Sequence, residues 1–339
     1  MARRLLAAAT VLIVAAALLV AAWPQPFGLE RQAGVAQLVA LRGLAAAVAG
    51  VGVVALLLIA LVSRRARRLT GTVALLLLAF AGVNVAVLAT RGSTPAGFQT
   101  TAPGDLTVLS WNTLGDAPGA AAIAKLALAQ HADVVALPET SAATADAVGG
   151  LMRSAGSPMQ LLSLSYDHVS KSRTTSLLIS TKLGEYRRDD SHGSTPTLPS
   201  VVAVPVDGSG PTIVAAHPVS PVPGEMGNWR QGLDWLSQRC GGDTIMAGDF
   251  NSTLDHYAGL SVTTATGPGD LGACHDGARA MRSAAAASWP TSLPEQLGAA
   301  IDHVMASEGW TFVGFRVVGS EDGAGSDHRP VVAQLRPGA

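Results

Sequence analysis

The residues best suited to chemistry stand where apolar runs end. In residues 243–253, DTIMAGDFNST, a short apolar run stops at Gly248-Asp249-Phe250-Asn251. Asp249 and Asn251 are two positions apart, so in extended backbone a carboxylate and a carboxamide point the same way. That pairing suits a phosphate and the water that attacks it. Alone, Asp-x-Asn more often starts a turn or caps a helix. Five further polar groups punctuate apolar runs in the same manner: Ser110-Trp111-Asn112, Pro138-Glu139-Thr140, His217-Pro218, Ile301-Asp302-His303 and Ser326-Asp327-His328-Arg329-Pro330. Carboxylates of this kind suit a hard cation such as Mg²⁺, which prefers oxygen ligands and keeps several waters. A His beside a scissile phosphate can act as general base or stabilise developing charge, provided a carboxylate fixes its tautomer.

The elements that must position these groups alternate between strand and helix. Residues 106–111 and 133–137 read as buried strands around an Ala-rich helix at 119–131, and a parallel pairing brings Asn112 and Glu139 to one sheet edge. Residues 160–165 and 176–180 read as strands, and 199–206 with 212–216 as a hairpin that ends at His217. Residues 228–240 have helical spacing, with Trp229, Leu233 and Leu236 on a core-facing stripe. Strands at 299–306 and 331–335 carry Asp302 and follow His328. His303 should face away from Asp302 on a regular strand and so lies off the centre. His256 and His275 are nearby polar groups without a motif role. Trp289-Pro290 reads either as a pocket wall or as packing.

Taken in order, these motifs resemble the endonuclease/exonuclease/phosphatase superfamily, metal-dependent phosphoesterases with a DNase I-like fold, over about residues 105–336. The resemblance implies a four-layer α/β sandwich and a Mg²⁺ or Mn²⁺ cofactor. It makes Glu139 the principal metal ligand, with Asp327 reaching the metal directly or through water. Asn112 becomes a phosphate or metal contact, His217 and Asn251 phosphate contacts, Asp249 the group that orients or deprotonates the attacking water, and Asp302 the partner of a catalytic His328. Two positions depart from the pattern. Leu114 stands where nucleases of this superfamily often carry an acid, and Pro138 stands in a place commonly held by Gln.

The first 90 residues are unlike the rest. Their only acid is Glu30, and apolar runs at 5–22, 44–62 and 69–90 are each about long enough to cross roughly 30 Å of hydrocarbon. The first run also reads as a cleavable signal peptide, with Arg3 and Arg4 before it and Ala21-Ala22 behind. The arginines ahead of that run, and Arg64, Arg65, Arg67 and Arg68 between the other two, place both segments in the cytoplasm and everything after residue 90 outside. Arg42 is expected to mark the outer interface, with residues 32–41 along the membrane surface or extending the helix. Residues 91–104 read as a linker, and 105–339 as an extracytoplasmic domain in the plasma membrane's outer face. Cys240 and Cys274 both fall in this exported part, where an oxidising compartment permits a bond; two buried thiols are the alternative.

From residue 91 onward, 15 Lys and Arg stand against 23 Asp and Glu. An acidic domain without a basic cluster disfavours nucleic acid, whose affinity comes mostly from neutralised phosphates. The plan of three spans followed by this domain is similar to actinobacterial membrane proteins linked to teicoplanin resistance, which implies a lipid-linked envelope phosphate as substrate. An exported endonuclease acting on extracellular DNA is the first alternative, and a non-catalytic envelope scaffold the second.

Overall fold

The computed structural model describes residues 2–93, 97–167 and 169–338. Residues 94–96 of the expected linker, and the side chains of Arg3 and Arg4 used to orient the first run, lie outside the described residues.

Helices α1 (Ala2–Ala22), α3 (Arg42–Val62) and α4 (Arg67–Arg91) are long and apolar enough to cross a membrane, with a short α2 (Val35–Ala40) after the first. Leu12, Leu58, Val62 and Leu75 on them are exposed. Such contiguous uncovered apolar surface is stable in hydrocarbon, where a helix satisfies its own backbone.

Strands and helices then follow as β1 (Leu106–Ser110), α5 (Gly119–Ala129), β2 (Val134–Pro138), α6 (Ala142–Ser154), β3 (Met159–Ser165), β4 (Thr174–Ser180), β5 (Tyr186–Arg188), β6 (Val201–Pro205), β7 (Thr212–Ala216), α7 (Met226–Arg239), β8 (Thr244–Asp249), β9 (Thr263–Thr264), β10 (Gly267–Pro268), β11 (His275–Asp276), α8 (Gly277–Ala280), β12 (Asp302–Ala306), β13 (Trp310–Val317) and β14 (Val331–Pro337). Two six-stranded sheets result, ordered β13-β14-β1-β2-β4-β3 and β11-β12-β8-β7-β6-β5. Only β1/β2 and β7/β8 pair in parallel within them.

The sheets face each other across a core that includes Val108, Ala136, Ile179, Ile213, Ile245 and Val304. On the first sheet's outer side, Leu109, Val135 and Leu137 pack under Ile123 and Leu126 of α5 and Val148 and Met152 of α6. On the second sheet's outer side, Val214, Met246 and Met305 pack under Trp229, Leu233 and Leu236 of α7. Helix, sheet, sheet and helix make the four expected layers. Strands covered on both faces must be apolar at every position rather than alternating, which is why β1, β2 and β8 read as continuous runs. Cys240 at the end of α7 is disulfide-bonded to Cys274.

One expected boundary changes. The strand expected at 299–306 begins only at Asp302, and β13 and the three-residue β5 were not foreseen. Arg42, the first residue of α3, is 3% exposed and forks onto both oxygens of Asp255, at 3.0 and 2.7 Å. Within residues 32–41, Ala36 is fully buried in the α7 layer.

Candidate active site

Five strand ends converge at one edge of the sandwich. Parallel pairing with β2 continues past the end of β1, with Trp111 N–H donating to Ala136 O at 3.0 Å and Thr113 N–H to Pro138 O at 3.1 Å. Asn112 and Glu139 are thereby held side by side. In the other sheet Asp249 is the last residue of β8 and stands opposite Asp302, the first of β12. The parallel β7/β8 pair leaves His217 next to them. A side chain at Gly248 would meet Ala216 O at 2.0 Å, so only glycine permits this close approach immediately before Asp249. Glu139 and Asn251 both have positive φ, 56° and 46°. Non-glycine residues hold that conformation at a cost of about 1–2 kcal/mol, and such residues cluster at functional sites.

The side chains form one network. Asn112 Nδ2 donates to Glu139 Oε1 at 3.1 Å and to Asp249 Oδ2 at 3.0 Å. Asn251 donates its backbone N–H to Asp249 Oδ1 at 2.8 Å, and its Nδ2 to Asp249 Oδ2 at 3.2 Å and Pro218 O at 3.0 Å. His328 Nδ1 lies 2.8 Å from Asp302 Oδ2, which leaves its Nε2 3.7 Å from Asp249 Oδ2 and 3.9 Å from Asp327 Oδ1. His217 Nε2 is 3.8 Å from Glu139 Oε1, and its Nδ1 is 3.3 Å from Thr175 Oγ1.

Burial and charge divide the protons among these groups. Burial works against charge on His328, but Asp302, Asp249 and Asp327 outweigh it and push the imidazole up to about 10. Burial, with Asp302 beside it, pushes Asp249 up to about 7 against the opposing pull of His328. Glu139 is likewise raised, first by burial. Full burial and the His328 charge bring His217 down to about 3. His217 is therefore neutral, and its approach to Glu139 is not an ion pair.

The donors fit a divalent cation. Asp302 Oδ1, Asp327 Oδ1 and His217 Nε2 are buried polar atoms without a hydrogen-bond partner. Atoms of Asp249, Asp302 and His328 lie within 4.8 Å of one another. His328 Nδ1 is committed to Asp302, however, so those three make a hydrogen-bond relay. Glu139, which borders the cavity beside the Asn112 amide, is the better-placed oxygen donor. A cation there would also compensate the charge that burial disfavours on Glu139.

All eight expected site residues thus fall in or beside one network. Asp327 is the outermost, with Oδ2 accepting from Trp289 Nε1 at 2.9 Å. Of the bystanders, His303 is buried on the far face against Asp276 Oδ2 at 2.7 Å, as strand alternation requires. His256 accepts Thr253 N–H at Nδ1 and so donates from Nε2 to Ala36 O at 3.0 Å. Sequence reasoning missed Trp111, whose Nε1 donates to His328 O at 3.0 Å, and Ser326, whose Oγ donates to Asn112 O at 2.6 Å. Both sat inside the quoted motifs, so motif membership was the available signal. It also missed that a cavity of about 370 Å³ over Glu139, Asp249, Asn251 and His328 is walled partly by Gln37, Ala40 and Leu41.

The profile of the endonuclease/exonuclease/phosphatase family matches residues 109–328. No curated protein matches the chain. Among solved structures, humanized D. rerio TDP2 carrying 14 mutations aligns with a TM-score of 0.52 at 17% identity, covering 69% of this chain and 99% of that one. D. rerio TDP2 complexed with single-strand DNA product gives 0.51 at 17% identity, covering 68% and 99%. At these identities the likeness is one of fold.

Proposed function

Because this chain belongs to the endonuclease/exonuclease/phosphatase family, we propose that it is a membrane-anchored hydrolase of a phosphomonoester or phosphodiester, dependent on Mg²⁺ or Mn²⁺. The observation that carries this reading is the meeting of Glu139 and Asp249 on Asn112, beside a His328 buttressed by Asp302.

Glu139 holds the cation, with Asp327 as the outer ligand. When bound, the cation supplies positive charge to the phosphoryl oxygens and lowers the cost of charge developing on them. Asp249, held by Asn112 and by the Asn251 backbone, orients the attacking water and takes its proton. Asn112, Asn251 and His217 contact phosphoryl oxygens. His328 keeps its proton at Nε2, so it stabilises charge rather than acting as a base.

The three apolar helices anchor the chain, with the N-terminus cytoplasmic and the catalytic part extracytoplasmic. The Cys240–Cys274 bond supports an oxidising compartment. An outward-facing, tethered and acidic site favours a lipid-linked envelope phosphate, in keeping with the resemblance of its plan, three apolar runs and then this domain, to the teicoplanin-resistance proteins. The test is a panel of double-stranded DNA, polyprenyl phosphates, phospholipids and an aryl phosphate, offered to the full chain in detergent with Mg²⁺. Release of phosphate or alcohol from a lipid ester supports the reading. Cleavage of DNA alone overturns it in favour of a nuclease, and no turnover by folded, metal-loaded protein favours a scaffold.

A further inference from the structure

The cavity over the catalytic groups is amphiphilic. Its floor is Glu139, Asp249, Asn251 and His328, whereas Leu198, Pro221, Val222 and Ile301 form much of one side. Another side comes from outside the family-matched region: Ala40 ends α2, and Leu41 follows it.

This wall is built in. Ala36 is fully buried in the α7 layer, and its carbonyl accepts from His256 Nε2 at 3.0 Å. Gln37 Nε2 donates to Pro221 O, and its Oε1 accepts Gly34 N–H at 2.7 Å. Both ends of that amide are therefore spent on holding the helix, and what α2 presents to the cavity is the apolar surface of Ala40 and Leu41. Behind Leu41 the chain is pinned, because Arg42 and Arg91 both pair with the buried carboxylate of Asp255. Arg42 is also the first residue of a candidate span, so the wall is continuous with the outer end of a membrane helix.

We infer that α2 and Leu41 form a specificity-determining wall of the active site, selecting a phosphoester whose alcohol is an apolar chain. The phosphate end sits among the carboxylates, and the chain lies between Leu41 and Val222. The inference rests on the phosphoesterase reading only for the identity of the polar end. On this account the segment between the first two spans completes the site, and a fragment beginning near residue 105 lacks that wall.

The test is a binding measurement, so it does not depend on turnover. Methylphosphonate and hexylphosphonate, both water-soluble, are titrated calorimetrically against the full-length chain in detergent with Mg²⁺. Each fully buried methylene is worth roughly fourfold in affinity. Partial burial of five more therefore predicts at least a tenfold preference for hexylphosphonate. Leu41→Gln and, independently, Val222→Gln at an exposed edge of the cavity should each cut that preference by about threefold or more, with methylphosphonate affinity unchanged. Leu38→Gln, exposed on the same helix but off the cavity, should leave it intact. Equal affinity for the two ligands, binding of neither, or a preference that survives both rim substitutions would overturn the inference. A preserved preference together with failure to hydrolyse any ester would leave the wall standing and overturn the phosphoesterase reading instead.

Discussion

Asp302 Oδ2 lies 2.8 Å from His328 Nδ1, and the same Asp302 stands directly opposite Asp249 across the β8/β12 ladder. One carboxylate thus fixes the imidazole tautomer and crowds the group assigned to the attacking water. Asp302→Asn keeps the shape but removes the charge that holds the His328 proton. We expect kcat to fall by about 10²–10⁴ with KM little changed, the range over which positioned proton-transfer groups act. Steady-state kinetics on the full chain check it.

The His328 proton also ties stability to pH. Its folded value, about 10, lies above the ordinary 6.5, so the folded chain holds the proton more tightly than the unfolded chain. That stabilisation is complete below pH 6.5 and is lost as pH rises through about 10. Asp249, raised from 3.8 to about 7, loses its contribution in the same direction within the lower window. Thermal midpoints of the metal-free chain should therefore fall between pH 7 and 10, and His328→Gln should flatten that slope.

The part of the site legible in the sequence was the part carried by strand ends. Asp249, Asn251, Glu139 and His328 stood out because fully covered strands are apolar throughout and a polar triplet ends them abruptly. Strand alternation correctly set His303 on the face away from Asp302. What stayed hidden depended on partners distant in sequence. Arg42 read as an interfacial charge because its partner, Asp255, is 213 residues away. The packing of α2 stayed hidden because five of its six residues, all but Gln37, are apolar and suit a membrane surface equally well. β13 lost its alternation at the bulge between Phe312 and Gly314.

The buried charge cluster makes a separate prediction. Burial alone would raise the Asp255 carboxyl, but hydrogen bonds and charge from Arg42 and Arg91 hold it well below the usual carboxylate range. Asp255→Asn leaves Arg42 buried without a counter-charge and should cost about 3–5 kcal/mol. Arg42→Met should cost less, because Arg91 still pairs with the carboxylate at 2.8 Å. Thermal unfolding of the detergent-solubilised chain ranks the two.

The Cys240–Cys274 bond closes a loop with a sequence separation of 34. Restricting the unfolded chain over that length is worth about 2–4 kcal/mol. Replacing both cysteines by Ser should lower stability by that amount, and denaturant unfolding with and without reductant measures it. Because the loop lies on the α7 side, kcat should change little.

The most direct test of the central claim is turnover of a long-chain alkyl phosphoester by the full-length chain in bilayer nanodiscs, followed before and after chelation, with Glu139→Gln alongside. The account predicts that hydrolysis stops on chelation, returns with Mg²⁺ or Mn²⁺, and drops by at least about 10²-fold in the variant. Hydrolysis that continues under chelator, or that Glu139→Gln leaves undiminished, would contradict it.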